Sequence, residues 1–390
     1  MTDPLLIGGV VIACFVAFNI GGSTTGPAFG PAVGADVVTK TTAGVLMSVS
    51  FFVGAYTIGR RVVDTLGREL LHDPSVFTLE SSIIVLFFIG GALLIGNLSG
   101  APASTSMTAV GAIIGLGLAA GELNLAVVGE ILAWWLLSPI IGFWMAVMIG
   151  RYWYRQLDRL IAIEQSEGPL VTVEQAGGVP RPTLGPNTTR REFVGTVVLI
   201  AIGCLMAFSS GTSNIANAIA PLVGSGALAM NPGILIGSAA VAGGALTIAR
   251  RTMETLGNDI TDLPLTAAIV VALLSSAIVT LLSLLGIPAS FVVVATVCIV
   301  GLGWGRSTHA VSVAEAVRGE VSPQVSLDAL VQDRGAPTVG APARGTGAEP
   351  PAQADLFDPG TTVRVILMQN VVPLLATVGS YLTFLSLTML

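Results

Sequence analysis

The sequence predicts an all-α, polytopic membrane protein made of two homologous, inverted repeats with broken helices and re-entrant hairpins. Three observations predict it. Of 390 residues, 53% are hydrophobic and only 10% charged, a balance foreign to ordinary soluble domains. Ten apolar runs follow one another, most near the roughly 20 residues a helix needs to cross a bilayer. The second five of these runs echo the first five residue by residue.

In the first half the runs are 5 to 22, 41 to 59, 82 to 98, 104 to 121 and 124 to 150. In the second they are 193 to 210, 232 to 249, 264 to 285, 289 to 305 and 363 to 389. Each is apolar all round, so each reads as a helix. A strand in lipid would alternate apolar and polar residues, and unpaired backbone groups are too costly there. The first run has no basic flank and no convincing small-residue cleavage site, so it is expected to be mature protein. Cys14, Cys204 and Cys298 all fall inside apolar runs, where cysteine acts as a small hydrophobe, and no disulfide or metal framework follows.

The repeat holds a fixed register. Gly54-Ala55, Thr57-Ile58 and Arg60-Arg61 return 190 residues later as Gly244-Ala245, Thr247-Ile248 and Arg250-Arg251. Phe18, Gly21, Ser23, Ala28 and Pro31 return at the same interval as Phe208, Gly211, Ser213, Ala218 and Pro221. Pro102-Ala103-Ser104 matches Pro288-Ala289-Ser290 at an offset of 186, and Pro139 matches Pro373 at 234. The change between the last two offsets implies a 48-residue insertion. The expected organisation is a first membrane repeat over 1–150, a linker over 151–192, and a second repeat over 193–305. An acidic, flexible inserted loop over 306–362 and a final span over 363–390 complete it. Six arginines in the linker place it on the cytoplasmic side by the positive-inside rule. Duplicated halves of this kind mark secondary transporters, whose sites form where broken helices of the two repeats meet near the bilayer midplane.

Four stretches carry polar chemistry inside this apolar chain. Asn19 to Pro27 interrupts its run with glycine, proline and the hydroxyls of Ser23, Thr24 and Thr25, and is expected to be unwound at membrane depth. Its counterpart, Ser209 to Asn217, brings Ser213, Asn214 and Asn217. Ser104, Thr105 and Ser106 in the first half, with Ser290 in the second, start helices at the tips of candidate re-entrant hairpins. Hydroxyls, carboxamides and helix N-termini offer hydrogen-bond donors, which suits a small oxyanion. A serine at a helix start is also an ordinary cap, and that plainer role competes at each position taken singly. Arg60, Arg61, Arg250 and Arg251 end spans in both halves and read as interfacial anchors, with Asp64 and Glu254 as helical ion partners. His72 and His309 lie outside the apolar core. No nucleophile-base pair or metal-ligand cluster occurs in that core, so an enzyme is not expected and no metal ligands are assigned.

These motifs identify a resemblance. Gly211 to Ala218 resembles the duplicated signature Gly-Ala-Asn-Asp-Val-Ala-Asn-Ala of the inorganic phosphate transporter (PiT) family. Pro102 to Met107 resembles its hairpin motif, and Arg60 to Gly67 its Arg-Arg-Val-x-x-Thr-Leu-Gly segment. The first signature copy, Gly21 to Ala28, is more diverged. The resemblance implies a cell-membrane permease moving inorganic phosphate by alternating access. Its site would be lined by Ser23, Thr24, Thr25, Ser104, Thr105, Ser106, Ser213, Asn214, Asn217 and Ser290. It implies no cofactor beyond a coupling Na+ or H+, no nucleic-acid partner, and a homodimer as a candidate assembly. The family's signature aspartates fall at Thr24 and Asn214 here and its hairpin histidine at Met107, a loss that leaves cation coupling without its usual ligands. Sulfate or another oxyanion is the alternative substrate, and an anion channel or receptor the alternative class.

Overall fold

The computed structural model describes residues 3–34, 37–98, 104–161, 171–176, 179–184, 189–249, 265–308 and 359–388. Helices dominate it. The first half runs α1 (Pro4–Gly34), α2 (Lys40–Thr57), α3 (Gly59–Asp64), α4 (Leu79–Leu98), α5 (Thr105–Ala120) and α6 (Leu125–Tyr152). A short α7 (Tyr154–Ile161) and a two-stranded antiparallel hairpin, β1 (Val171–Ala176) with β2 (Val179–Leu184), precede the second half. That half holds α8 (Arg190–Gly224), α9 (Met230–Leu246), α10 (Leu265–Leu284), α11 (Phe291–Ser307) and α12 (Pro359–Thr388).

All ten apolar runs are helical, and among the described residues six helices are long and apolar enough to cross a membrane. A bent pair adds a seventh, and α5, α9 and α11 are shorter apolar helices. The expected break in the first and sixth runs is not where the sequence placed it. Helix α1 continues through Asn19 to Pro27, and α8 through Ser209 to Asn217. The reason is local. Ser23 and Thr24 donate to the Ile20 carbonyl at 3.1 and 2.7 Å, and Thr25 to the Gly21 carbonyl at 2.7 Å. Hydroxyls bonded to their own preceding turn are satisfied without unwinding it. The break falls instead at Thr57 to Gly59, where α2 and the segment Gly59–Glu69 meet at 63° and the chain passes through a π-helical turn, Thr65–Glu69. Arg61 donates to the Leu284 carbonyl there and ties the bent span to the end of α10.

The two halves interlock by crossed pairing. Helix α1 packs on α9 and α2 on α8, while α5 lies along α12 and α6 along α11. Glycines make the approaches possible, since a Cβ at Gly21 would strike the Val241 backbone and one at Gly211 the Phe51 backbone. Likewise Gly54 meets the Phe208 carbonyl and Gly244 the Phe18 carbonyl; Gly115 faces Thr377 and Gly301 faces Phe143. Each pair turns into the other when residues are exchanged at the sequence offsets. Reciprocal contacts of this form are what a two-fold relation between halves produces. Small residues that let helix backbones touch are the usual glue of membrane bundles, where lipid provides no hydrophobic drive for association.

Of the expected interfacial groups, Arg60 donates to Asn231 Oδ1 at 2.6 Å and lies over the Tyr56 ring at 4.4 Å. Asp64 pairs with Arg68 at 2.8 Å, one turn on, and not with Arg60 as expected. Arg250, Arg251, Glu254, His309 and most of the 306–362 insertion lie outside the described residues.

Candidate substrate site

Two hairpins aim helix starts at the middle of α8. In the first, Ser104 caps α5 by accepting from Met107 N at 3.2 Å; in the second, Ser290 caps α11 by accepting from Val293 N at 3.3 Å. Capping satisfies one orphan amide at each start and leaves the positive end of each helix dipole directed at the same region. The tip of the second hairpin is held from both sides. Trp135 Nε1 of α6 donates to the Pro288 carbonyl at 2.7 Å, while Ser213 Oγ of α8 accepts from Ala289 N at 3.0 Å and lies 2.9 Å from the Ala289 carbonyl.

The side chain of Asn214 is the hub. Its Oδ1 accepts from Thr105 Oγ1 at 2.8 Å, from Asn217 Nδ2 at 3.2 Å and, at the long end, from Ser106 Oγ at 3.4 Å. Its Nδ2 donates to Ser210 Oγ at 2.9 Å. Ser106 Oγ also lies 3.0 Å from the Ala289 carbonyl and 3.3 Å from Ser213 Oγ. Helix α8 of the second half thereby joins the first hairpin to the second. Ser106, Ser210, Ser213, Asn214 and Asn217 are buried, and buried polar networks hold geometry tightly because any unpaired member is costly. One member is unpaired: Asn217, fully buried, has an Oδ1 with no partner among the described residues.

A cavity opens beside this network, with about 480 Å³ of empty space including its mouth. Of the residues picked out by sequence, Ser23, Thr24, Thr105, Asn214 and Ser290 line it. Thr25, Ser104, Ser106, Ser213 and Asn217 do not; Ser106, Ser213 and Asn217 form the network behind its wall, Ser104 is a cap, and Thr25 bonds its own helix. Sequence reasoning missed Ser210, Pro27, Ala28, Met206, Phe291 and Val292, which complete the lining. Ser210 carried a signal, being one turn before Asn214 on the same face of α8. The apolar members carried none, because Met and Phe in an apolar helix look like core. Among the described residues no Asp, Glu, Lys, Arg or His lines the cavity, and no three His, Cys, Asp or Glu side chains converge as a metal site would require.

Fold and cavity together define a multi-pass membrane protein of transporter architecture. A family model described as the phosphate transporter family matches residues 20–322, and the chain belongs to that family. The sulfate permease CysP of Bacillus subtilis is 30% identical over 302 residues, covering 77% of this chain and 78% of that protein. A Pyrococcus furiosus protein named as a phosphate permease is 24% identical over 378 residues, covering 80% and 90%. A solved structure titled as the sodium-dependent phosphate transporter superposes with a TM-score of 0.69 over the whole of both chains, at 16% identity, and so supports the fold.

Proposed function

We propose that this protein is a permease that carries inorganic phosphate across the cell membrane by alternating access, through the cavity beside Asn214. The observation that carries the reading is the chemistry of the lining: the starts of both hairpin helices and the polar residues Ser23, Thr24, Thr105, Ser210, Asn214 and Ser290 line one cavity that, among the described residues, holds no fixed negative charge. Donors at helix starts stabilise an oxyanion, and the absence of carboxylates in the lining spares it repulsion. Crossed pairing supports the alternating motion, since each hairpin lies along a helix of the opposite repeat and the two arrangements of a two-fold bundle are near equivalents.

Sulfate is the second reading, favoured by a specific feature. Phosphate near neutral pH carries a proton that needs an acceptor, whereas sulfate carries none, and Asn214 Oδ1 is already taken by its neighbours. The unpaired Asn217 Oδ1 is the leftover acceptor in the network. A coupling Na+ would draw on neutral oxygens of this kind, and among the described residues the network offers one unpaired carboxamide oxygen and no carboxylate, a poorer fit than a charged ligand set. Uptake of labelled phosphate and of labelled sulfate into proteoliposomes, each with and without a sodium gradient and a pH gradient, tests the proposal. Saturable phosphate uptake supports it; uptake of sulfate alone transfers the assignment to the second reading, and uptake of neither overturns both.

A further inference from the structure

Away from the cavity, the ends of α6 and α11 carry a cluster that lines no part of it. Gly150 and Gly305 let the two helices touch: a Cβ at Gly150 would lie 3.1 Å from Arg306 N, and one at Gly305 would lie 3.0 Å from Arg151 N. This close approach sets Arg151 and Arg306 side by side on abutting helix ends. The chain then turns into α7, which adds Arg155 and Arg159. The Arg306 guanidinium lies 4.3 Å from the centroid of the Tyr154 ring. Asp158, the acidic residue of α7, already accepts from Thr266 at 2.7 Å. Cations at helix C-termini are partly explained by the helix dipole. Two buried donors are not: the Tyr154 hydroxyl, on a residue only 7% exposed, and Arg306 Nη1 have no partner among the described residues. Burial pushes the Tyr154 phenol above its ordinary pKa, so it remains a hydrogen-bond donor at neutral pH.

The position tells what surrounds this cluster. Tyr152 and Trp153 are exposed beside them, at the end of a membrane-spanning helix, as aromatic residues stand in the headgroup layer. Clustered arginines at that depth meet the phosphates of anionic lipids, and a guanidinium matches a phosphodiester in geometry as well as charge. We propose that Arg306 and Tyr154, with Arg151 and Arg155 around them, form a binding site for the phosphodiester headgroup of an anionic phospholipid. The lipid seals the junction of α6, α7 and α11. Free phosphate shares the headgroup's chemistry but lacks acyl chains to hold it against the span.

The test is lipid retention by the full chain. Protein reconstituted in nanodiscs of phosphatidylcholine with phosphatidylglycerol is re-extracted into detergent, and retained lipids are counted by native mass spectrometry. The wild type is expected to keep phosphatidylglycerol in preference to phosphatidylcholine. Arg306→Gln is expected to keep about fivefold less, Tyr154→Phe about twofold less, and Arg306→Lys an intermediate amount. Millimolar inorganic phosphate is expected to leave the retained lipid in place. Equal retention by the wild type and Tyr154→Phe, a change that keeps the ring under Arg306, would overturn the site, as would equal retention by a folded Arg306→Gln. Displacement of the lipid by inorganic phosphate would assign the cluster to the free anion instead.

Discussion

The polar stretch of α1 and its counterpart in α8 hold equivalent places in two copies of one motif, yet their hydrogen bonds go to different partners. In α1, Ser23, Thr24 and Thr25 bond their own helix. In α8, Ser213, Asn214 and Asn217 reach out to Thr105, Ser106 and Ala289 on both hairpins. The backbone contacts around them stay reciprocal, with Gly21 against Val241 matched by Gly211 against Phe51. Duplication has kept the two-fold frame while chemistry has concentrated on one side of it. The frame needs glycine in both halves to bring backbones together, whereas a single anion needs only one hub.

Breaking the frame should do the greatest damage, equally from either half. Gly21→Leu and Gly211→Leu each drive a side chain into a backbone that cannot retreat. Overpacking of this kind costs about 1–3 kcal/mol, and more where backbone is struck. Both variants should lose folded protein in detergent-solubilised thermal melts, to a similar degree; a tolerant Gly21 beside an intolerant Gly211 would refute the reciprocity.

Breaking the hub should stop transport more than it harms folding. Asn214→Ala removes the acceptor shared by Thr105 and Asn217, and a donor left without a partner costs about 1–3 kcal/mol where it is buried. Substrate uptake should fall by about tenfold to a hundredfold, while size-exclusion chromatography still finds the bundle assembled. The mirror-related change, Thr24→Ala, removes a hydroxyl already bonded to Ile20 and should lower initial uptake rates by about threefold or less. Ser104→Ala should act on stability alone. Losing a helix cap costs about 1 kcal/mol, so the melting temperature should drop by a few degrees with the Michaelis constant for uptake unchanged.

Much of this frame was legible in the sequence. Length and apolarity located all ten helical runs, and the fixed offsets located the glycines that later proved to be contact points. The expected breaks in α1 and α8 failed for a physical reason: composition reports that residues 19–27 are polar, but not that their hydroxyls can fold back onto their own carbonyls. The bend at Thr57 to Gly59 sits in a segment whose sequence is ordinary apolar helix ending in arginines. The strands of 171–184 were absent from the reading, although Gly177-Gly178 between two β-prone segments was an available hairpin signal. Within the site, hydroxyls and carboxamides stood out against lipid-facing residues, so the network was found almost whole. What it wraps was not: Pro27, Met206 and Phe291 become cavity walls only through the packing of α1, α8 and α11, which no local pattern encodes.

The central claim is that one polarised hub, seated in a symmetric frame, handles the anion. Paired uptake assays of Asn214→Ala and Thr24→Ala in proteoliposomes, with phosphate and sulfate measured side by side, test it most directly. A large loss in the first variant and a small one in the second is the predicted result. Equal losses, or a loss confined to Thr24→Ala, would contradict it.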